Sequence, residues 1–170
     1  MASAITHFIV GASLAWPFAE SRAVWIFAGV IAAAPDLDIY SMAAFDIPYG
    51  SLFGHRGFFH SPFFLILFCM LLARGNFKLG ALWSAAAITH PLLDMLTDGG
   101  LGVMLLVPFS QARLFFPWTP IHVSPIGIER FFSVAGYVLS SEWPFCLAAV
   151  ALAALATRFR SSIPSIKMSH

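Results

Sequence analysis

No Asp, Glu, Lys or Arg occurs in residues 1–19, 23–35, 57–73, 79–93, 99–112 or 143–157. A lone membrane-spanning helix needs ~20 predominantly apolar residues, and several of these stretches are shorter. Short spans are tolerated when polar helix ends pack against one another, as in a compact bundle with a site at one end. The pattern predicts an all-α membrane protein: a compact bundle of about five transmembrane helices, near 3–19, 21–35, 60–75, 79–98 and 142–158. The whole chain, 1–170, reads as one polytopic membrane domain. Pro108, Pro117, Pro120 and Pro125 break the segment 99–131 too often for it to span. It reads as a Pro-rich extracytoplasmic loop or re-entrant cap, with a short interfacial helix at 128–140.

Composition narrows the class further. Charged residues make up 10% of the chain, against about 25% in soluble globular proteins. The net charge of +1 and the lack of a basic stripe exclude a nucleic-acid surface. Cys69 and Cys146 lie in apolar runs and read as small buried hydrophobes, not as a disulfide or thiolate site. No Lys or Arg precedes Arg22. The positively charged start of a signal peptide is therefore missing, and 3–19 is expected to be a retained helix.

Five spans place the termini on opposite sides. Arg22, Arg74, Lys78, Arg158, Arg160 and Lys167 then share one side. Asp36, Asp38, Asp46, Asp98, Glu129 and Glu142 share the other, with Arg56, Arg113 and Arg130 as its only bases. By the positive-inside rule the basic side is cytoplasmic. The expected location is a bacterial inner membrane, with the N-terminus outside and the C-terminus in the cytoplasm.

The strongly polar residues inside or beside helices converge on the outer end. His7 lies in the first turns of helix 1, APDLD (34–38) ends helix 2, and HRGFFHS (55–61) opens helix 3. THPLLDMLTDGG (89–100) ends helix 4, with His90 and Asp94 four residues apart and so on one face. Imidazole and carboxylate donors without Cys suit Zn²⁺ foremost, or Mn²⁺ or Fe²⁺, and an ion offsets the cost of burying several carboxylates. Asp-x-Asp offers two carboxylates from one turn, suited to one or two ions. Each piece has a plainer reading. His7, His55 and His60 serve equally as headgroup-level residues, Arg56 as a snorkelling anchor, and PDLD as a helix stop. His90 and Asp94 resist this, because ionisable residues within a membrane helix are functional by default. His122, in a Pro-rich loop, and His170 read as surface residues.

Taken in order, these pieces resemble the YdjM-type inner-membrane proteins, described as membrane-bound metal-dependent hydrolases. The resemblance rests on His7 with Gly11, PDLD, HRG..HS, H.LLD..T..G, PFS..R..FP, and the stretch FFPWTPIHVSPIGIERFFS at 115–133. It implies that the His and Asp residues of these motifs are metal ligands. Phe58-Phe59 departs from the pattern, in which a polar residue often precedes the second histidine. A supporting hydrogen bond to that ligand is thereby in question.

The leading expectation is a polytopic hydrolase with a mono- or dinuclear metal site at the outer membrane face. Asp36, Asp38, His60, His90 and Asp94 are the foremost ligands, followed by His7 and His55. Asp38 or Asp98 would act as general base, and Arg56 and Arg113 would clamp an anionic group. A site at headgroup level favours an amphiphile drawn from the bilayer, such as a phospholipid, a polyprenyl phosphate or a lipid-linked ester. Two other classes stay open. A transporter or proton-coupled channel would use the same residues as a relay, but the apolar cytoplasmic halves of helices 3 to 5 count against it. A noncatalytic scaffold with a structural metal would lack an open coordination position.

Overall fold

A computed structural model describes residues 1–159 and Ile166. Arg160, Lys167 and His170 lie outside the described residues. Six α-helices form among the described residues: α1 (Ala4–Ala15), α2 (Arg22–Ala33), α3 (Asp38–Phe45), α4 (Pro62–Leu72), α5 (Phe77–Met95) and α6 (Ile128–Arg158). No strand forms among them, only isolated bridges such as Thr97 with Ile121 and Val103 with Leu114.

Local chemistry sets most boundaries. Ser3, Ser61 and Asn76 cap α1, α4 and α5, each side chain accepting from a backbone N–H of the first turn. Pro17 and Pro35 sit in the 3-10 turns Trp16–Phe18 and Ala34–Leu37 that close α1 and α2. The expected first helix therefore stops short of residue 19, and residues 36–59, which the expected spans leave out, contain α3.

α1 and α5 together form the packing centre. α5 contacts α1, α2 and α4, while α1 also packs on α2 and α6. Gly11 lets α1 approach α2 closely, since a Cβ there would overlap the Ala32 side chain. Trp83 Nε1 donates to Val24 O (3.3 Å) near the start of α2, and His90 Nδ1 lies 2.8 Å from Ala32 O near its end. α2 and α5 therefore run parallel. α6 runs parallel to α1, with Glu142 beside Ser3 and Ala156 near Pro17 and Phe18. Arg22, Arg74, Lys78 and Arg158 consequently gather at one end of the bundle. The starts of α1 and α4 and the ends of α2 and α5 gather at the other.

The separate interfacial helix expected at 128–140 does not form. Residues 128–158 make one continuous helix through Pro144. Glu142 lies inside this helix, where a charged side chain is costly unless it is partnered. It is fully buried against the start of α1, where Ser3 N, Ser3 Oγ and Thr6 Oγ1 donate to its carboxylate. Negative charge at a helix N-terminus is favourable, so Glu142 joins α6 to α1.

By length and hydropathy, Arg22–Phe45 and Ile128–Arg158 are long and apolar enough to cross a membrane, while Ala4–Phe18 and Pro62–Leu72 are shorter apolar helices. Residues 96–127 contain no helix. This segment folds back on the site end, with Met104 N bonded to Arg56 O and Phe116 N to Met95 O (both 2.9 Å).

Candidate metal centre

Four elements deliver the polar cluster. His7 faces inward one turn into α1. The 3-10 turn at Pro35 tightens the chain just before α3, and Asp36 and Asp38 are both buried. His55 and His60 come from the loop before α4. Gly57 is required there, because a Cβ would collide with the Leu52 carbonyl. His90 and Asp94 lie one turn apart on α5.

Asp36 is the focus. His90 Nε2 and His60 Nε2 lie 3.5 and 3.6 Å from its Oδ1, and His7 Nε2 lies 3.9 Å from its Oδ2. Asp94 Oδ2 lies 3.8 Å from His90 Nε2 and 3.9 Å from His60 Nε2. These separations exceed hydrogen bonds. Donors held ~2.0–2.2 Å from one tetrahedral ion would lie roughly 3.3–3.6 Å apart, close to the spacing found. His7 also stacks on His90, with ring centroids 3.7 Å apart.

The donors themselves argue for a cation. Both nitrogens of His7 and His60, both oxygens of Asp36, His90 Nε2, His55 Nε2 and Asp38 Oδ2 are buried without a hydrogen-bond partner in the protein. Buried polar atoms are almost always paired. Asp36, His60, His90 and Asp94 form one group able to hold an ion, and Asp38, His55 and His60 form a second. The nitrogen and oxygen donors fit Zn²⁺, Mn²⁺ or Fe²⁺. His60 belongs to both groups, with Nε2 toward Asp36 and Nδ1 3.4 Å from Asp38 Oδ2. Asp38 Oδ1 is 2.8 Å from His55 Nδ1. Asp38 thus supplies the polar neighbour of His60 that Phe58-Phe59 lacks. Phe58 and Phe59 instead pack with Phe53 and Phe64.

The remaining candidates are placed differently. Arg56 is fully buried and has φ 59°, a conformation uncommon outside glycine. It donates to Asp94 Oδ2, Gly99 O, Leu101 O and Thr97 Oγ1. Most of its N–H groups are therefore spent inside the protein, holding Asp94 and the turn after α5. Arg113 bonds the carbonyls of Gly102, His55 and Ser51. Asp98 lies at the surface, accepting from Val123 N and paired with His122 Nδ1 (both 2.8 Å). Partial burial would raise its pKa, but the bonds from His122 and Val123 outweigh this and hold the carboxyl below its usual range. By sequence, Glu142 reads only as an outer-side charge and His122 as a surface residue. A lone carboxylate in an apolar helix was the available signal for Glu142.

The chain matches the model of the family described as YdjM inner membrane protein over residues 1–163. It is 40% identical over 127 residues to inner membrane protein YbcI of Escherichia coli (strain K12), across 69% of this chain and 73% of that protein. No solved structure matches the chain. The order of its motifs along the chain and the family match agree, and the chain belongs to the YdjM inner membrane protein family.

Proposed function

We propose that the protein is a multi-pass, membrane-embedded, metal-dependent hydrolase with its site at the extracytoplasmic face. Its substrate class is an amphiphilic or lipid-linked phosphoester or ester. The observation that carries this reading is the Asp36 carboxylate, buried, without a partner in the protein, and faced by three imidazole nitrogens. The orientation follows from the bases gathered at the opposite end.

Asp36, His60, His90 and Asp94 would hold the ion, with His7 beside them and Asp38, His55 and His60 able to hold a second. A divalent ion supplies Lewis acidity, polarising the scissile group and lowering the pKa of bound water. Asp38 Oδ2, at the edge of the cluster, is placed to accept a proton as general base. Asp98 is committed to His122 at the surface and is not suited to that role. Arg56 orients Asp94 and gives the carboxylate a fixed position.

A transmembrane relay fits less well. The buried acidic, basic and histidine side chains among those described all lie at this end of the bundle. The other half is walled by residues such as Ala28, Leu65, Cys69, Trp83 and Ala86. Metal analysis of purified protein tests the reading. We expect stoichiometric Zn²⁺, Mn²⁺ or Fe²⁺ in the wild type and its loss in His90→Ala. A folded wild type that binds no divalent metal would remove the proposal, and metal without hydrolysis of any alkyl phosphate or ester would favour a structural metal.

A further inference from the structure

A crevice of about 290 Å³ runs between α2 and α4. Both helices also pack on α5. Ile31, Ala34 and Pro35 form one wall, and Phe59, Leu65 and Phe68 the other. Leu37 and Phe68 are exposed at its rim, so it reaches the molecular surface. Asp38 and Ser41 are the only polar side chains lining it. Asp38 is also a member of the candidate metal cluster, with Oδ2 unpartnered and 3.4 Å from His60 Nδ1. The crevice therefore ends against Asp38, with His60 directly behind it, and is apolar along the rest.

From this placement of Asp38 we infer that the crevice binds the hydrocarbon tail of a single-chain amphiphile and brings its headgroup to the Asp38–His60 end of the site. The inference rests on the hydrolase reading and narrows its substrate class. Ligand pockets span ~300–1,000 Å³, so this volume suits one slender chain and is small for a bulkier ligand. Phe64 and Phe68 stack 5.7 Å apart along α4, extending the apolar wall. The neighbouring outward face of α4 exposes Phe63, Leu67 and Leu71. In a bilayer such a face meets lipid, so a tail can enter sideways without crossing water. A free phosphate or short ester has no long tail to bury, so it gains little from the apolar walls.

The test uses full-length, metal-loaded protein in detergent micelles and a dodecyl phosphate carrying a terminal diazirine. After photolysis, peptide mapping should place the label on Ile31, Leu65 or Phe68. Unlabelled dodecyl phosphate should compete at least about tenfold better than butyl phosphate, because each buried methylene adds to transfer free energy. Inorganic phosphate should not compete. Ser41→Trp should cut labelling about fivefold at unchanged metal content, and Phe68→Trp serves as a second filling variant should the first not fold. Label spread equally onto Leu152 and Leu155 of α6, or competition by inorganic phosphate equal to that by dodecyl phosphate, would overturn the inference. Crevice labelling in a protein shown to bind no metal would sink the hydrolase reading and keep the tail site. Bound metal with no crevice labelling would do the reverse.

Discussion

Arg56 Nε lies 3.1 Å from Asp94 Oδ2, and both side chains are fully buried. Removing one partner of a buried pair leaves an uncompensated charge, at a cost of about 3–5 kcal/mol. Arg56→Met should therefore be destabilised by that amount in a denaturation series in micelles. Arg56→Lys keeps the charge but loses the planar fork, leaving some of Gly99 O, Leu101 O and Thr97 Oγ1 without their donor. It should lose on the order of 2 kcal/mol. If Arg56→Lys lost turnover with full stability, the residue would be a substrate clamp and not a positioning residue.

Asp36→Asn keeps the size of the side chain at the focus of three imidazoles. Losses beside a metal site typically cost about 10–100-fold in affinity, and a ligand should cost at least as much. Titration with Zn²⁺ should show that weakening while circular dichroism stays unchanged. Equal affinity in variant and wild type would exclude Asp36 as a ligand.

Glu142 accepts three hydrogen bonds from Ser3 and Thr6. Glu142→Ala leaves these donors buried and unsatisfied, which should cost about 3 kcal/mol. Glu142→Gln, which retains one acceptor oxygen, should fall between alanine and wild type. The readout is the unfolding midpoint, and a midpoint unchanged in the alanine variant would contradict the capping role.

Ala44 and Lys78 are exposed at opposite ends of the bundle. With Cys69 and Cys146 replaced by alanine, Ala44→Cys should react with an impermeant maleimide added to intact cells. Lys78→Cys should react only after permeabilisation. The reversed pattern would invert the orientation and place the site on the cytoplasmic side.

Asp98, held below the usual carboxylate range, stabilises the fold at pH values above that range. The contribution is lost as pH falls through the lowered value, because protonation removes its bonds from His122 and Val123. Protection of the Val123 amide, taken relative to its intrinsic exchange rate at each pH, should fall on that acid side, and Asp98→Asn should show the lower protection at neutral pH. Protection that is insensitive to both changes would show that the pair does not hold the segment.

Much of the architecture was legible in residues 1–98. Uncharged runs bounded by Ser3, Ser61, Asn76 and the prolines mark helices, because capping and helix breaking act over a few residues. Alternation of spans then places His7, Asp36, His60, His90 and Asp94 at one end, whatever the details of packing. The last helix was misjudged for a physical reason. Whether Glu142 ends a helix or sits inside one depends on a partner 139 residues away, and no local propensity encodes that.

The sequence by itself determined which residues can form helices and which donors are available at one end of them. The tertiary structure alone decided how those donors are shared. Arg56, in left-handed backbone, turns inward to Asp94 instead of outward to solvent. Asp98 turns away to His122, while His60 stands between Asp36 and Asp38. These choices are set by which buried charges must be satisfied by partners far along the chain, since an unpaired one costs too much to keep.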